Sequence, residues 1–222
     1  MFIHIPKTAG TSVRSLVASR HPGLRSGFVY KPVDRLTAWE LRRLRVAEVV
    51  YGHYSFGFHE QLGVEGRYLT FVREPVARVL SMFDQLAKVD DNSCYRRIAA
   101  GEGIVELIES HATEMLNNHM TRVLAGPVDP APSNDPAMLE RALGNIDDAF
   151  AVVGVVERMD ESMVAIAAAL GWPSASQPGY ENRTIDARRD VDPAARRAIE
   201  AANQLDLELY ERMGERLAQR RH

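Results

Sequence analysis

The sequence predicts an α/β fold in a single domain over residues 1–222, with a central parallel sheet flanked by helices. Three observations predict it. Short runs that are apolar almost throughout (Phe2–Ile5, Glu48–Tyr51, Tyr68–Val72 and Phe150–Val156) lack the alternation of half-exposed strands and are too short for helices. Strands of that kind are buried on both faces, as in a parallel sheet. Segments with helical periodicity separate them, which is the order of an α/β domain. Finally, Lys7, His53 and Arg73 each fall just past the carboxyl end of one such run, where open parallel sheets bind their ligands.

Each element has its own local reason. Pro6 ends the first run, and Lys7 to Gly10 make a tight loop. Thr11 or Ser12 is expected to cap the helix that follows through Val13, Leu16 and Val17. A short strand is predicted at Phe28–Tyr30 and an amphipathic helix over 37–44. The run at Glu48–Tyr51 ends in Gly52-His53 and the run at Tyr68–Val72 ends in Arg73. Pro75 opens a helix with Val76, Val79, Leu80 and Phe83 on its inner side. Residues 94–125 read as helical pieces broken at Gly101 and Gly103, 127–136 as a proline-rich loop, and 138–146 as a helix. After the Phe150–Val156 strand come a helix over 160–170, a polar stretch over 177–191, and two helices meeting near Asn203.

Composition narrows the function. With 222 residues, 45% hydrophobic and 26% charged, the chain is an ordinary globular protein able to bury its own core. A net charge of −3 excludes the broad basic surface of a nucleic-acid binder. The single cysteine, Cys94, allows neither an intrachain disulfide nor a cysteine metal cluster. No run approaches the roughly 20 apolar residues of a membrane span. The first strand begins directly at Met1, so a cytoplasmic location is expected. Of 27 basic residues only Lys7, Lys31 and Lys88 are lysines, so the lysine in the first loop is a deliberate choice of a compact point charge.

The first loop is an anion site by construction. The leading N–H groups of a helix lack internal partners, and the helix dipole adds partial positive charge there. Gly10 lets backbone approach a phosphate, Lys7 brings a full charge, and Thr8, Ala9, Thr11 and Ser12 add amide or hydroxyl donors. This is not the nucleotide loop G-x-x-x-x-G-K-[ST], because here the lysine precedes the lone glycine by three. The second motif runs from Tyr68 to Phe83. Arg73 can grip a phosphate bidentately, and Ser81 lies about two turns into the helix opened by Pro75. Arg78 is a lesser candidate for the same phosphate, with pairing to an acid as its alternative. The third motif is Val50-Tyr-Gly-His-Tyr-Ser-Phe-Gly-Phe-His59, in which His53 can act as a general base.

The Lys7–Ser12 loop resembles the 5′-phosphosulfate loop of sulfotransferases that use 3′-phosphoadenosine 5′-phosphosulfate (PAPS). It is most similar to the carbohydrate-type, heparan sulfate 2-O-sulfotransferase-like branch, whose loops read I-P-K-T-[AG]-[GS]-T, and to a small bacterial-type member of it. Arg73 and Ser81 match that family's 3′-phosphate site, although the family often has aspartate where this chain has Glu74. Gly52-His53 and the residues after it match its G-H-x-x-[FY]-G stretch. The resemblance implies a P-loop-like fold, a PAPS donor with adenosine 3′,5′-bisphosphate as product, and no metal. It implies further that His53 is the base and that Lys7 steadies the leaving phosphate. Asn182, Arg183 and Thr184 would close over the nucleotide. His59 is a second candidate for the base, or lines the acceptor pocket with Tyr54 and Phe56, or is a surface residue. The acceptor would be a hydroxyl or amine of a saccharide or small molecule. Two alternatives stand beside this. A P-loop-type kinase or nucleotide hydrolase would need a magnesium-holding acid, for which Glu157 is the best candidate, but the first loop has the wrong spacing. A non-catalytic nucleotide-binding relative would have little need to keep Lys7, His53 and Arg73 together.

Overall fold

A computed structural model describes residues 1–20, 23–31, 33–90, 92–127, 134–172 and 191–220. Its centre is a five-stranded, all-parallel sheet in the order β2-β3-β1-β4-β5. The strands are β1 (Phe2–Ile3), β2 (Ser26–Val29), β3 (Val49–Gly52), β4 (Tyr68–Val72) and β5 (Phe150–Val155). Between and after them come helices α1 (Gly10–Arg20), α2 (Ala38–Arg45), α3 (Phe58–Leu62), α4 (Pro75–Leu86), α5 (Ser93–Ala99) and α6 (Ile104–Glu109). They continue with α7 (His119–Ala125), α8 (Pro136–Ala149), α9 (Met159–Leu170), α10 (Pro193–Ala202) and α11 (Gln204–Gln219). None of the described helices is long and apolar enough to cross a membrane.

Side chains alternate across the central strands and give the sheet two cores. Phe2, Phe71 and Val152 pack with Val13 and Val17 of α1 and Met163 and Ile166 of α9. Ile3, Tyr68, Val72 and Val153 pack with α7, α8 and α11 through Met120, Leu124, Leu139, Leu143, Leu209 and Met213. This two-sided burial is why the strands carry so few polar residues. Glu74 caps α4 by accepting from the Val76 and Ala77 N–H groups at 3.0 and 2.7 Å, with Pro75 in the first turn. Thr37 and Glu40 close a capping box on α2.

Three features differ from expectation. β1 is paired at Phe2 and Ile3 and stops there, although His4 N–H still donates to Gly52 O at 2.8 Å and Ile5 is fully buried. α1 begins at Gly10, and Val13 N–H donates to Ala9 O, so Thr11 and Ser12 sit within the first turn and not at the capping position. α3, which was not anticipated, starts after Gly57 in left-handed backbone (φ 91°) and ends at Gly63 (φ 64°).

A buried ion pair joins the helices behind the sheet. Arg78 of α4 and Asp206 of α11 are both fully buried, with their charged atoms 3.9 Å apart. Asp206 also accepts from the N–H groups of Met120 and Thr121 and from the Thr121 hydroxyl, while Arg78 donates to Met115 O at 3.0 Å. Removing one partner of such a pair strands the other charge in the interior. Asp206→Ala should therefore lower unfolding free energy by roughly 3–5 kcal/mol. Urea denaturation would read this as a lower midpoint at an unchanged m-value.

Candidate active site

Lys7, His53 and Arg73 follow β1, β3 and β4, which are neighbours in the sheet. The topology thus brings three residues from distant parts of the chain to one edge, at the point where the chain has filled one side of β1 and crosses to the other. They line one cleft of about 760 Å³, together with Ala9, Gly10, Tyr54 and Ser81 from the sequence motifs. His4, Tyr30, Ser55, Gln85, Met115 and His119 line it too.

The loop after β1 is held in an unusual shape. Lys7 and Ala9 take left-handed backbone, with φ 71° and 60°, on either side of Thr8. Non-glycine residues enter that region at a cost that clusters at functional sites. Thr8 is buried, and its hydroxyl donates back to Ile5 O at 2.9 Å, so it shapes the loop and does not line the cleft. Arg73 Nη1 donates to Lys7 O at 3.1 Å, which ties the end of β4 to this loop. The side chains of Thr11 and Ser12, and the whole of Asn182, Arg183 and Thr184, lie outside the described residues.

Gly10 is required for a reason the sequence reading did not contain. A Cβ there would lie 2.0 Å from Cδ2 of His4, whose imidazole occupies that space. The His4 ring then stacks on His53, with centroids 4.6 Å apart. The backbone carbonyl of His4 lies 2.8 Å from His53 Nδ1. A carbonyl can only accept, so Nδ1 carries the hydrogen and Nε2 keeps its lone pair. His53 is exposed to the cleft, and Tyr30 packs edge-on against it at 5.2 Å. Gly52 serves packing as well, since a Cβ there would meet Val29 O at 2.1 Å.

The charges divide along the cleft. Burial lowers the Lys7 ammonium from its ordinary value, and the Arg73 guanidinium beside it lowers it further, partly offset by Asp84. Arg73 is almost fully buried, with Glu157 4.0 Å from its Nε. Glu157 in turn accepts from Glu74 N–H at 3.2 Å and from the Tyr210 hydroxyl at 3.2 Å. The acid that a magnesium-dependent kinase would need is thus engaged in holding Arg73. His4 and His119 are kept neutral. Burial first, then His53 and nearby cations, bring His4 down to about 4. Burial, then Arg78 and Arg122, bring His119 down to about 3.

Three sequence-predicted residues stand elsewhere. His59 is in α3, where its Nδ1 and backbone N–H meet the Tyr68 hydroxyl at 2.8 and 3.1 Å. Phe56 packs between Tyr68 and Phe150 in the core, so it and His59 do not line the cleft. Arg78 is sealed behind the sheet with Asp206 and cannot serve the phosphate as Arg73 can. Tyr30 was within reach of the same strand-end rule, since it directly follows β2. His119 was not, because it comes from a helix with no strand before it.

No protein-family model matches the chain. Galactose-3-O-sulfotransferase 3 from Bos taurus and from Homo sapiens are each 27% identical to it over 237 residues, and the Mus musculus protein is 26% identical. Each alignment takes in 95% of this chain, but the chain spans about half (54%) of the length of these relatives. The crystal structure of a sulfotransferase from Alicyclobacillus acidocaldarius matches with a TM-score of 0.51 at 17% identity, covering 95% of this chain and 93% of that one. That likeness establishes the α/β sulfotransferase fold. The similarity to carbohydrate sulfotransferases indicated by three short motifs therefore extends along nearly the whole chain.

Two outcomes follow from this geometry. Gly10→Ala should destabilise the protein by roughly 1–3 kcal/mol through overpacking against His4, and His4→Ala in the same chain should restore part of the loss. The second outcome concerns pH. An unfolded histidine takes up a proton near 6.5, whereas folded His4 and His119 resist protonation down to about 4 and about 3. Stability is thus complete above pH 6.5 and falls as the pH drops towards 4. His119→Gln should flatten this slope by roughly 1 kcal/mol per pH unit, read from urea midpoints at pH 7 and pH 5.

Proposed function

We propose that this chain is a sulfotransferase that transfers the sulfo group of PAPS to a hydroxyl of a saccharide acceptor. One observation carries this reading. Lys7 in its left-handed loop, the buried Arg73 tied to it and a His53 of fixed tautomer stand at the ends of three adjacent strands and line one cleft. The similarity to galactose-3-O-sulfotransferases over 95% of the chain supports the same chemistry, and it makes galactosides the first acceptors to try.

The residues present suit PAPS. Lys7 and Arg73 are pressed together at the cleft wall, a charge pattern that a phosphate relieves. The loop itself leads into the N-terminus of α1, whose first amides lack partners within the helix. The Lys7–Ser12 loop would hold the 5′-phosphosulfate, and Arg73 with Ser81 the 3′-phosphate. When bound, PAPS supplies the sulfo group and leaves as adenosine 3′,5′-bisphosphate.

His53 Nε2, the nitrogen left with a lone pair, accepts the proton of the acceptor hydroxyl as the new S–O bond forms. The His4 carbonyl keeps Nδ1–H in place, so the ring stays oriented and the imidazolium that develops is stabilised. Lys7 meets the negative charge that grows on the phosphate oxygen as the P–O–S bridge breaks. Arg73 holds the loop by its bond to Lys7 O, so phosphate grip and loop shape depend on one guanidinium.

Adenosine 3′,5′-bisphosphate should raise the melting temperature, because it binds only the folded state. Arg73→Ala should abolish that shift. His53→Ala should keep the shift yet lose roughly 10²–10⁴-fold in sulfation of a methyl galactoside. A melting shift with magnesium–ATP alone, and none with the bisphosphate, would overturn the proposal.

A further inference from the structure

We infer that His119 is an acceptor-specificity residue, whose Nε2 hydrogen-bonds a saccharide hydroxyl next to the one that is sulfated. The inference rests on the sulfotransferase reading and adds to it a named contact on the acceptor side.

The ring stands in the same cleft as His53 and Lys7. It lies close enough to His53 to feel its charge. Nδ1 is shut off from solvent and has no hydrogen-bond partner, which leaves Nε2 as the nitrogen open to the cleft. A molecule in the cleft can therefore meet this ring through Nε2. Met82, Met115 and Val123 give the same cleft apolar wall.

The backbone holds His119 in this position deliberately. Asn118, just before it, is fully buried in left-handed backbone with φ 40°. Its N–H donates to Asn203 Oδ1 at 2.9 Å, and its own Oδ1 accepts from the N–H groups of Leu205 and Asp206 at 3.0 and 3.1 Å. A residue so strained persists only where its surroundings over-determine it. Here the start of α11 fixes the start of α7 and so sets His119 at the cleft wall.

The chemistry of the ring decides its role. Arg78 and Arg122 oppose its protonation, so it is neither an anion holder nor the base. A neutral imidazole matches a neutral hydroxyl, as it can donate or accept one hydrogen bond. A site built around such a bond rejects an analogue that lacks the hydroxyl far more strongly than an apolar wall would.

The test uses sulfation of methyl β-galactoside and its 2-deoxy and 4-deoxy analogues, with the bisphosphate melting shift measured alongside. Wild type should lose about 10-fold or more in kcat/KM for one deoxy analogue. His119→Leu should keep the bisphosphate shift, raise KM for the parent sugar by a similar factor, and no longer tell the two sugars apart. His119→Gln should keep most of the discrimination. If wild type treats all three sugars alike, or His119→Leu discriminates as wild type does, the inference is overturned even should one variant fold poorly. If no galactoside is sulfated while the bisphosphate shift persists, the inference is overturned and the PAPS site stands. Loss of the shift in wild type overturns both.

Discussion

The site depends on the space that Gly10 leaves empty. The His4 imidazole lies where a Cβ would be, and through that position it stacks on His53 and presents its carbonyl to His53 Nδ1. The Lys7–Gly10 loop and His53 are therefore joined through one side chain. A side chain at residue 10 would displace the His4 ring, and with it the support of a ring 49 residues away in the chain. This explains why a glycine with unremarkable backbone angles is needed at the start of a helix, where propensity alone disfavours it.

A second constraint acts from behind the sheet. Arg78 and Asp206 spend their charges on one another and on backbone groups of the segment 115–121. Such a pair adds little net stability compared with apolar packing, because both ions are stripped of water. What it does add is register. α4 carries Ser81, α7 carries His119, and α11 anchors both through Asp206 and the Asn118 contacts. The cleft residues Ser81 and His119 are thus held to the same buried carboxylate.

The parts of this structure that were legible in the sequence are those set by local rules. The β4 bounds, the proline-opened α4 and the break between α10 and α11 at Asn203 follow from apolar runs, proline geometry and helix ends, all readable over a few residues. The strand-end rule found Lys7, His53 and Arg73 because parallel sheets converge by topology. Where long-range packing decides, the reading failed. Phe56 and His59 sit in a motif beside His53, yet a left-handed Gly57 turns the chain into α3 and sends both toward Tyr68. Arg78 could be read either as a phosphate ligand or as half of an ion pair, and only Asp206, 128 positions later in the sequence, decides for the second. His119 carries no local sign at all, since its placement comes from Asn118 and the distant start of α11. Gly10 was recognised, but the physical reason assigned to it was incomplete, because no sequence pattern reveals that His4 folds over it.

The cleft therefore carries charged and neutral groups side by side, and burial has a hand in both. Lys7 and Arg73 stand together at the strand ends, partly desolvated, with Glu157 beside Arg73. Two histidines that would titrate near neutrality in water, His4 over the Lys7–Gly10 loop and His119 at the cleft wall, are kept uncharged by burial and by neighbouring cations. In the proposed reaction a positive His4 or His119 would repel the imidazolium that forms at His53, so their neutrality favours proton uptake there. His53 is in contact with His4 on one side and Tyr30 on the other, and the first of these contacts comes from the same residue whose carbonyl fixes its tautomer.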